Sequence, residues 1–384
     1  MEVAKLGSMT KRKICYGIVQ PGESVVDGIP VIKVNNIIAG LRDVSELDTT
    51  KKENDEKYSR TRLKGGELLL SVVGTIGKTA VVPMGFAGCN LVRATALIDI
   101  PDSQMTKWVK YYIDSPKGQY YIHENLNTTV QPTLNIKSIV DMPIPLFSNE
   151  YMEKATRILS SLDDKIELNR RINENLEAQA QALFKSWFVD FEPFRDGEFM
   201  ESELGMIPKG WRVYSLSEFL PVITGKKDAN VAKGGQYPFF SCSQDYGWTD
   251  DYSFEGNAIL VAGNGDFNVK MYNGKFEAYQ RTYVLIPYNP KYTAWLFYAV
   301  KYHLNDITSA ARGSVIKFIT KGNLADFKFP APNILDKDEI IEKFDCIRRI
   351  VASTELESRR LATLRDTLLP RLMSGEIKVG DVTL

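Results

Sequence analysis

The chain has 384 residues, of which 44% are hydrophobic and 25% charged, as expected for a globular protein of two or three domains. No apolar run reaches the roughly 18–20 residues of a membrane helix, and the N-terminus lacks the apolar core of a secretory signal, so we expect a cytoplasmic protein. The 48 basic and 48 acidic residues cancel, so any contacts with phosphates must be local or supplied by a partner.

Residues 1–147 predict a mixed, mostly β domain. The runs 67–74, 79–83 and 94–100 are rich in β-branched residues and are bounded by Gly or Pro, as strands usually are. A short helix is predicted at 105–115. The stretch from Glu150 to about Val189 contains no Gly or Pro and follows the capping residues Ser148 and Asn149, which predicts a long helix.

The rest of the chain repeats this order. Strands are predicted at 257–263 and 281–287, and a short helix at 292–304. A second long helix is predicted from Asp336, with Pro370 only near its end and a stop at Ser374-Gly375.

Apolar side chains recur at heptad spacing in both long helices. Forty helical residues span about 60 Å, and a lone helix of that length would leave its apolar stripe in water. We therefore expect an antiparallel coiled coil, in which Asn169 and Thr354 either fix the register or lie exposed. The stripe positions are Leu162, Asn169, Leu176 and Leu183 in the first helix, and Ile347, Ile350, Thr354, Leu361, Leu364 and Leu368 in the second.

The chain also matches itself in sequence. From Val130 onward the offset is a constant 185, as in Pro145 and Pro330 or Leu183 and Leu368. Upstream the offset changes: Val3 and Val213 lie 210 apart, Gly17 and Gly225 208 apart, and Gly66 and Gly256 190 apart. The largest insertion is the charged stretch 43–64, and loops that vary on a retained scaffold are where recognition is expected. These patterns predict an α+β protein with a pseudo-two-fold repeat, in which two mostly β domains are separated by two long antiparallel helices.

Several sequence features resemble chemical sites but are better explained by structure. The segment 74–79 (GTIGKT) has Val72 where a phosphate-binding loop needs its first glycine, and it continues as a strand instead of opening a helix. Asn289-Pro290-Lys291-Tyr292 resembles the catalytic loop of adenine methyltransferases, but Lys291 replaces a proline and no cofactor loop precedes it. His123 and His303 lack a neighbouring nucleophile or ligand spacing, so we expect no catalytic residue and no metal site. The four cysteines are expected to be reduced, buried thiols: Cys15, Cys89, Cys242 and Cys346.

Six segments carry a specific resemblance to the DNA-specificity subunit of type I restriction-modification enzymes, and together they extend over essentially the whole chain. They are YGIVQPG (16–22), GIPVIKVNNI (28–37), TTVQPTLNIKSIVDMPIPLF (128–147), LNRRINENLEAQAQALFKSWFVDFEPF (168–194), GSVIKFITKGNLADFKFPAP (313–332) and RRLATLRDTLLPRLMSGEI (359–377).

The resemblance implies a target recognition domain at 1–147, a spacer helix at 148–200, a second recognition domain at 201–332 and a second spacer helix at 333–384. It further implies that the chain binds double-stranded DNA, reads a bipartite asymmetric target and docks two methyltransferase subunits, joined by restriction subunits in the full complex. S-adenosylmethionine, ATP and magnesium would belong to those partners, with no cofactor in this chain.

Polar and basic loop residues are the candidates for DNA contact, because amides and guanidinium groups pair with base edges and lysines with phosphates. About half of them are expected to be ordinary solvated residues. The candidates are Lys33, Asn35, Asn36, Lys78, Thr128, Thr129 and Gln131 in the first domain, and Lys226, Lys227, Ser243, Gln244, Asn264, Arg312 and Lys317 in the second.

An aromatic cluster at the end of the first long helix is larger than a two-helix seam requires. It predicts either methyltransferase docking or a domain junction, with plain core packing as an equal alternative. Its members are Phe184, Trp187, Phe188, Phe191 and Phe194.

Three other functions stay open at this point. The chain could serve a methylation-only complex, act as a self-contained adenine methyltransferase through the Asn289 loop, or join proteins without binding DNA. The missing cofactor loop argues against the second of these.

Overall fold

A computed structural model of the chain describes residues 2–127, 131–309, 318–333 and 339–377. The chain divides into two compact units, Met1–Glu167 with Ser358–Leu384, and Leu168–Glu357. The sequence-based boundaries follow whole elements, whereas this division assigns part of each long helix to each unit.

The first unit contains short strands and helices that precede the first long helix. The strands are β1 (Glu2–Lys5), β2 (Cys15–Tyr16), β3 (Ile29–Ile32), β4 (Thr49–Thr50), β5 (Leu68–Ser71), β6 (Thr79–Val81), β7 (Asn90–Leu91), β8 (Thr95–Ile98), β9 (Leu126–Asn127), β10 (Thr133–Leu134) and β11 (Pro143–Leu146). The helices are α1 (Val34–Ala39), α2 (Lys52–Lys57), α3 (Ser103–Asp114), α4 (Pro116–Glu124), α5 (Ile136–Val140) and α6 (Asn149–Phe188), the last of which continues into the second unit.

The second unit has longer strands. They are β12 (Phe199–Ser202), β13 (Gly205–Pro208), β14 (Trp211–Ser215), β15 (Val222–Thr224), β16 (Tyr237–Phe240), β17 (Tyr246–Thr249), β18 (Phe254–Ala262), β19 (Val269–Ala278), β20 (Thr282–Leu285) and β21 (Lys328–Pro332). The helices are α7 (Thr293–Tyr302), α8 (Leu304–Ser309), α9 (Lys321–Ala325) and α10 (Glu339–Ser374), the last of which ends in the first unit. The α+β prediction and the two long helices are thus confirmed.

The same order of strands occurs in both units. In the first unit β2, β8, β5 and β6 are neighbours in a sheet, and β4, β3 and β7 form another. In the second unit β15, β20, β18 and β19 follow the first of these orders, and β16 and β17 extend the sheet. In the β18–β19 ribbon Gly256 lies opposite Gly274. Their φ values are +138° and +136°, a region that disfavours other residues, so both positions require glycine.

Residues that the repeat makes equivalent also have equivalent partners. Val3 pairs with Pro145 in the first unit, and Val213 pairs with Pro330 in the second. A side chain at Gly17 would lie 1.9 Å from the carbonyl oxygen of Leu91, and one at Gly225 would lie 2.1 Å from that of Tyr279. Only glycine permits such an approach, so the repeat extends to the packing of the backbone.

The two long helices run antiparallel within each unit. In the first unit Tyr151 of α6 donates to the carbonyl of Leu372 of α10 at 2.9 Å, and Arg365 pairs with Asp163 at 2.8 Å. In the second unit Arg348 pairs with Glu177 at 3.5 Å. Pro370 lies inside the last turns of α10, and the helix ends before Gly375 at φ +75°.

The polar residues of the stripe contact each other. Asn169 is fully buried and donates to Glu357 at 2.7 Å and to the carbonyl of Thr354 at 3.4 Å. Thr354 in turn donates to Asn173. Of the two alternatives for Asn169, the structure therefore supports a buried position in the helix pair, where a mispaired amide would be costly.

The width of the buried face differs from the heptad prediction. Ile350 and Leu364 are 43% and 42% exposed, whereas Ala180 and Phe184 are buried. The helices bury a second face against the recognition domain, so a period of 3.6 residues describes the buried positions better than one of 3.5.

Three smaller expectations can be compared with the structure. The segment 72–78 is a turn between β5 and β6, with Gly74 and Gly77 at φ +76° and +86°. Only Cys89 is buried among the four free cysteines; Cys15 and Cys242 are partly exposed and Cys346 is exposed, so the prediction of four buried thiols was wrong. Among the described helices, none is long and apolar enough to cross a membrane.

Candidate nucleic-acid interface

In the second unit, the predicted DNA-contacting residues lie on loops that contact one another. Lys226 and Lys227 follow β15, and the amide of Gln280 donates to the carbonyl of Lys227 at 2.9 Å. The amide of Tyr279 donates to the carbonyl of Phe240 at 2.8 Å, which places the loop after β16 on the same side. Lys226 is exposed, with its ammonium 5.3 Å from the ring of Phe254.

The loop after β16 also contacts the turn between β18 and β19. Gln244 donates to the carboxylate of Asp266, which lies in that turn, at 2.7 Å. Cys242 of the same loop donates at 3.4 Å to the carbonyl of Arg281, which lies between β19 and β20. Asn264 lies in the same turn and pairs with Phe318 across an isolated bridge. The structure therefore brings together the five described candidates of this unit.

The buried Asn268 and the partly buried Lys270 hold the 241–245 loop in place. Asn268 is 8% exposed and donates to the carbonyls of Cys242, at 2.9 Å, and Asp266, at 2.8 Å. Lys270 donates to the carbonyls of Ser241 and Ser243, and burial lowers the pKa of its ammonium group. These hydrogen bonds hold the backbone of the loop in place. The side chains of Ser243 and Gln244 are exposed on this fixed loop.

In the first unit, the predicted residues surround the turn between β7 and β8. The amide of Val92 donates to the carbonyl of Ile32 at 3.1 Å, next to Lys33. The amide of Val72 donates to the carbonyl of Ala94 at 2.8 Å, at the start of the turn that carries Lys78. Val73 bridges to Thr133, two residues from the exposed Gln131.

The candidates of the first unit have different environments. Asn36 accepts a hydrogen bond from the amide of Lys33 at 2.8 Å and so caps the start of α1. Lys33 forms an ion pair with Asp48 at 2.6 Å, whereas Asn35 and Lys78 are exposed. Asn35 and Lys78 are thus the better placed for contact. Thr128, Thr129, Arg312 and Lys317 lie outside the described residues.

Arg93 is an exposed residue that the sequence-based list omitted. It lies in the turn between β7 and β8, and its charge opposes the rise that burial causes in the pKa of Tyr16. The sequence could have indicated Arg93 as a candidate for DNA contact, because it is a basic residue in a tight turn between two strands.

A buried tyrosine anchors each recognition domain to the helix pair. In the first unit Tyr111 of α3 donates to Asp163 at 2.8 Å, the carboxylate that also binds Arg365. In the second unit Tyr298 of α7 donates to Glu177 at 3.0 Å, the carboxylate that also binds Arg348. Burial is the main cause that raises the pKa of both tyrosines, and the carboxylates raise it further.

Comparison with known proteins identifies the family. A family model described as the type I restriction modification DNA specificity domain matches residues 3–178 and again residues 208–365. The chain belongs to the type I restriction-modification DNA specificity family. Each match extends from a domain of strands and short helices into the long helix that follows it. As a specificity subunit, the chain is a non-catalytic DNA-recognition component.

Individual relatives agree with this assignment. The EcoDI specificity subunit of Escherichia coli is 37% identical over 178 residues, which are 45% of this chain and 40% of that protein. The MjaIX specificity subunit of Methanocaldococcus jannaschii is 24% identical over 349 residues, covering 80% of this chain and 79% of that protein. The crystal structure of the S subunit from M. genitalium shares the fold, with a TM-score of 0.55 and 15% identity over 97% of this chain and 95% of that one.

The aromatic cluster of this specificity subunit lies mostly in the core. Phe184 and Phe188 are 1% and 3% exposed and pack on Phe344, so they are not available for docking a partner. Trp187, Phe191 and Phe194 are partly buried; Phe191 and Phe194 pack against Trp211, with centroids 5.4 and 5.1 Å away. Core packing is therefore the better explanation for the first two, because the second recognition domain covers this face of α6.

The features that resembled chemical sites have structural roles. The side chain of Asn289 accepts a hydrogen bond from the amide of Lys291 at 3.1 Å and caps the turn before α7. His303 bonds Asp306 at 2.9 Å and packs on Phe327. Among the described residues, no group of three or more His, Cys, Asp or Glu side chains is placed to hold a metal ion.

Proposed function

We propose that this chain is the sequence-specific DNA-binding subunit of a type I restriction-modification complex and reads a bipartite, asymmetric target. Each recognition domain would read one half-site, and methyltransferase subunits would dock on the chain. Restriction subunits would join them in the full complex, in the cytoplasm.

The observation that carries this proposal is the collection of polar loops on a repeated scaffold. In each unit the candidate residues converge on one group of loops, while the strand order and the Val3–Pro145 and Val213–Pro330 pairings are retained. Exposed amides and hydroxyls on fixed loops suit the edges of bases, and exposed lysines suit phosphates. Because the loops differ between the units, the two half-sites should differ.

The long helices would determine the spacing of the half-sites. α6 and α10 each contribute residues to both units, and their buried polar contacts, such as Asn169 with Glu357, disfavour sliding of one helix along the other. Two recognition domains on a spacer of fixed length would bind half-sites about one turn of the DNA duplex apart.

S-adenosylmethionine, ATP and magnesium would be held by the partner subunits. In this chain the 72–78 segment, which resembles a phosphate-binding loop in sequence, is a turn between two strands. The same proposal holds for a methylation-only complex, which lacks only the restriction subunits.

Methylome sequencing of cells with and without this chain tests the proposal. We expect a two-part methylated-adenine motif that is present with the chain and absent without it. A motif that persists after deletion of the gene would contradict the proposal, as would DNA-independent assembly as the chain's only activity.

A further inference from the structure

A groove of about 780 Å³ in the first unit is strongly basic. Its basic lining residues come from two segments that are distant in the chain, and among the residues that line it no acidic one occurs. The basic residues are Arg12, Lys13, Arg60, Arg62 and Lys64.

Two of these five side chains hold the groove together. Arg12 pairs with Glu67 at 2.6 Å and Asp99 at 2.5 Å, and it also donates to the carbonyls of Arg60 and Arg62 at 3.0 and 3.2 Å. Arg62 pairs with Asp55 and with Glu56. These contacts fasten the 52–64 segment to the sheet and neutralise the two arginines.

The other three are available to a ligand. Lys13, Arg60 and Lys64 are exposed, and no carboxylate of the described residues lies within ion-pair distance of them. The charge of Arg60 also reaches Cys15 in the groove, where it opposes the rise that burial causes in the pKa of that thiol.

An insertion builds one wall of this groove. Gly17 and Gly66 are 49 positions apart, whereas their counterparts Gly225 and Gly256 are 31 apart. At the offset of Gly17 and Gly225, Pro221 replaces Lys13 and the fully buried Leu220 replaces Arg12. The repeat therefore places no basic side chain at these two positions of the second unit.

The groove adjoins loops of its unit that carry candidate DNA-contacting residues. Tyr16 lines it and donates to the carbonyl of Leu134 at 2.7 Å, in the strand that follows Gln131. Arg93 acts on the same tyrosine from the β7–β8 turn. A duplex seated on these loops would place a phosphate strand along Lys13, Arg60 and Lys64.

We propose that this groove binds the phosphate backbone of duplex DNA, so that Lys13, Arg60 and Lys64 add sequence-independent affinity to the contacts of the first recognition domain's loops. The inference rests on the proposed function. It explains how a chain with a net charge of zero can bind DNA, since cations that lack acidic partners need only be concentrated in one place.

The salt dependence of binding tests this inference. The full-length chain carrying Lys13→Gln, Arg60→Gln and Lys64→Gln is compared with the wild type on a duplex bearing the methylome motif and on a random-sequence duplex. We expect the slope of log K against log salt to become less steep by up to about 2.7, at about 0.9 per phosphate contact, with the preference for the motif unchanged. Arg60→Gln alone should change it by about 0.9.

The matched control removes three exposed lysines of the same unit outside the groove, Lys107→Gln, Lys117→Gln and Lys154→Gln, and should leave the slope near that of the wild type. A triple groove variant with the wild-type slope overturns the inference, as does one that loses motif preference, because the groove would then read bases. The inference is also overturned if the triple groove variant no longer binds inorganic phosphate in calorimetry but keeps the wild-type salt dependence of DNA binding, because the groove would then bind a small anion. A wild-type chain without motif preference would instead contradict the proposed function.

Discussion

The two recognition domains use one scaffold in different ways. Both pair an N-terminal strand with the strand that precedes a long helix, and both need a glycine where the backbone of another segment comes close. The first domain adds a charged segment before β5, whereas the second lengthens β18 and β19 and adds β16 and β17. The shared pairings maintain the fold, and under the proposed function the added segments would determine what each domain contacts.

Substitution of the paired glycines tests whether the scaffold is equivalent in the two domains. Gly17→Val and Gly225→Val should each destabilise the protein by about 2–4 kcal/mol, because a side chain would overlap a carbonyl oxygen. Urea unfolding measures the loss. Gly85→Ala, where nothing lies within 4 Å, is the control. A large loss of stability in only one of the two variants would show that the scaffold is not equivalent in the two domains.

The contacts that attach each recognition domain to the helix pair can be compared between the two domains. The carboxylates of Glu177 and Asp163 each bind a tyrosine and an arginine, but Lys301 lies in hydrogen-bond contact with Glu177, whereas Lys110 lies 4.0 Å from Asp163. Glu177→Gln should therefore cost more than Asp163→Asn, within a range of about 1–3 kcal/mol. Thermal unfolding of the two variants gives the order, and the exposed Asp164→Asn serves as the control. Equal losses would show that the closer lysine contributes nothing.

The support beneath the 241–245 loop predicts an effect confined to one domain. Asn268→Ala removes two hydrogen bonds to loop carbonyls and should cost about 1–2 kcal/mol of stability. In binding assays, discrimination against changes in the second half-site should fall several-fold while that at the first is retained. Equal relaxation at both half-sites would contradict the assignment of one half-site to each domain.

The buried tyrosines predict the smallest effect, which appears only at alkaline pH. The raised pKa values of Tyr111 and Tyr298 mean that their contribution to stability is complete below about pH 10 and is lost as the pH rises further, since the unfolded state then releases protons first. Tyr111→Phe and Tyr298→Phe should each weaken this alkaline dependence of the unfolding free energy. An unchanged pH profile would show that the tyrosines do not titrate as buried groups.

Local periodicity and the internal repeat predicted the two long helices and their equivalence, the strands β5, β6, β8, β18 and β20, and the short helices α3 and α7. They missed the other strands, including β19, and the other short helices, because these elements carry no clear periodic pattern of their own. They left the role of Phe184 and Phe188 open between docking, a domain junction and core packing, because the heptad stripe does not reveal that a second face of the helix is covered. They also missed Asn268 and Lys270 beneath the loop, and the groove that Arg12 closes, since those contacts join segments far apart in sequence. The candidate loops could be located from the sequence, but their supports could not.

We propose that each recognition domain reads one half of a bipartite target. The most direct test is methylome sequencing of cells whose chain carries residues 1–147 of another member of the specificity family. We expect a motif in which one half changes while the other half and the spacing are retained. A motif that changes in both halves, or in neither, would contradict it.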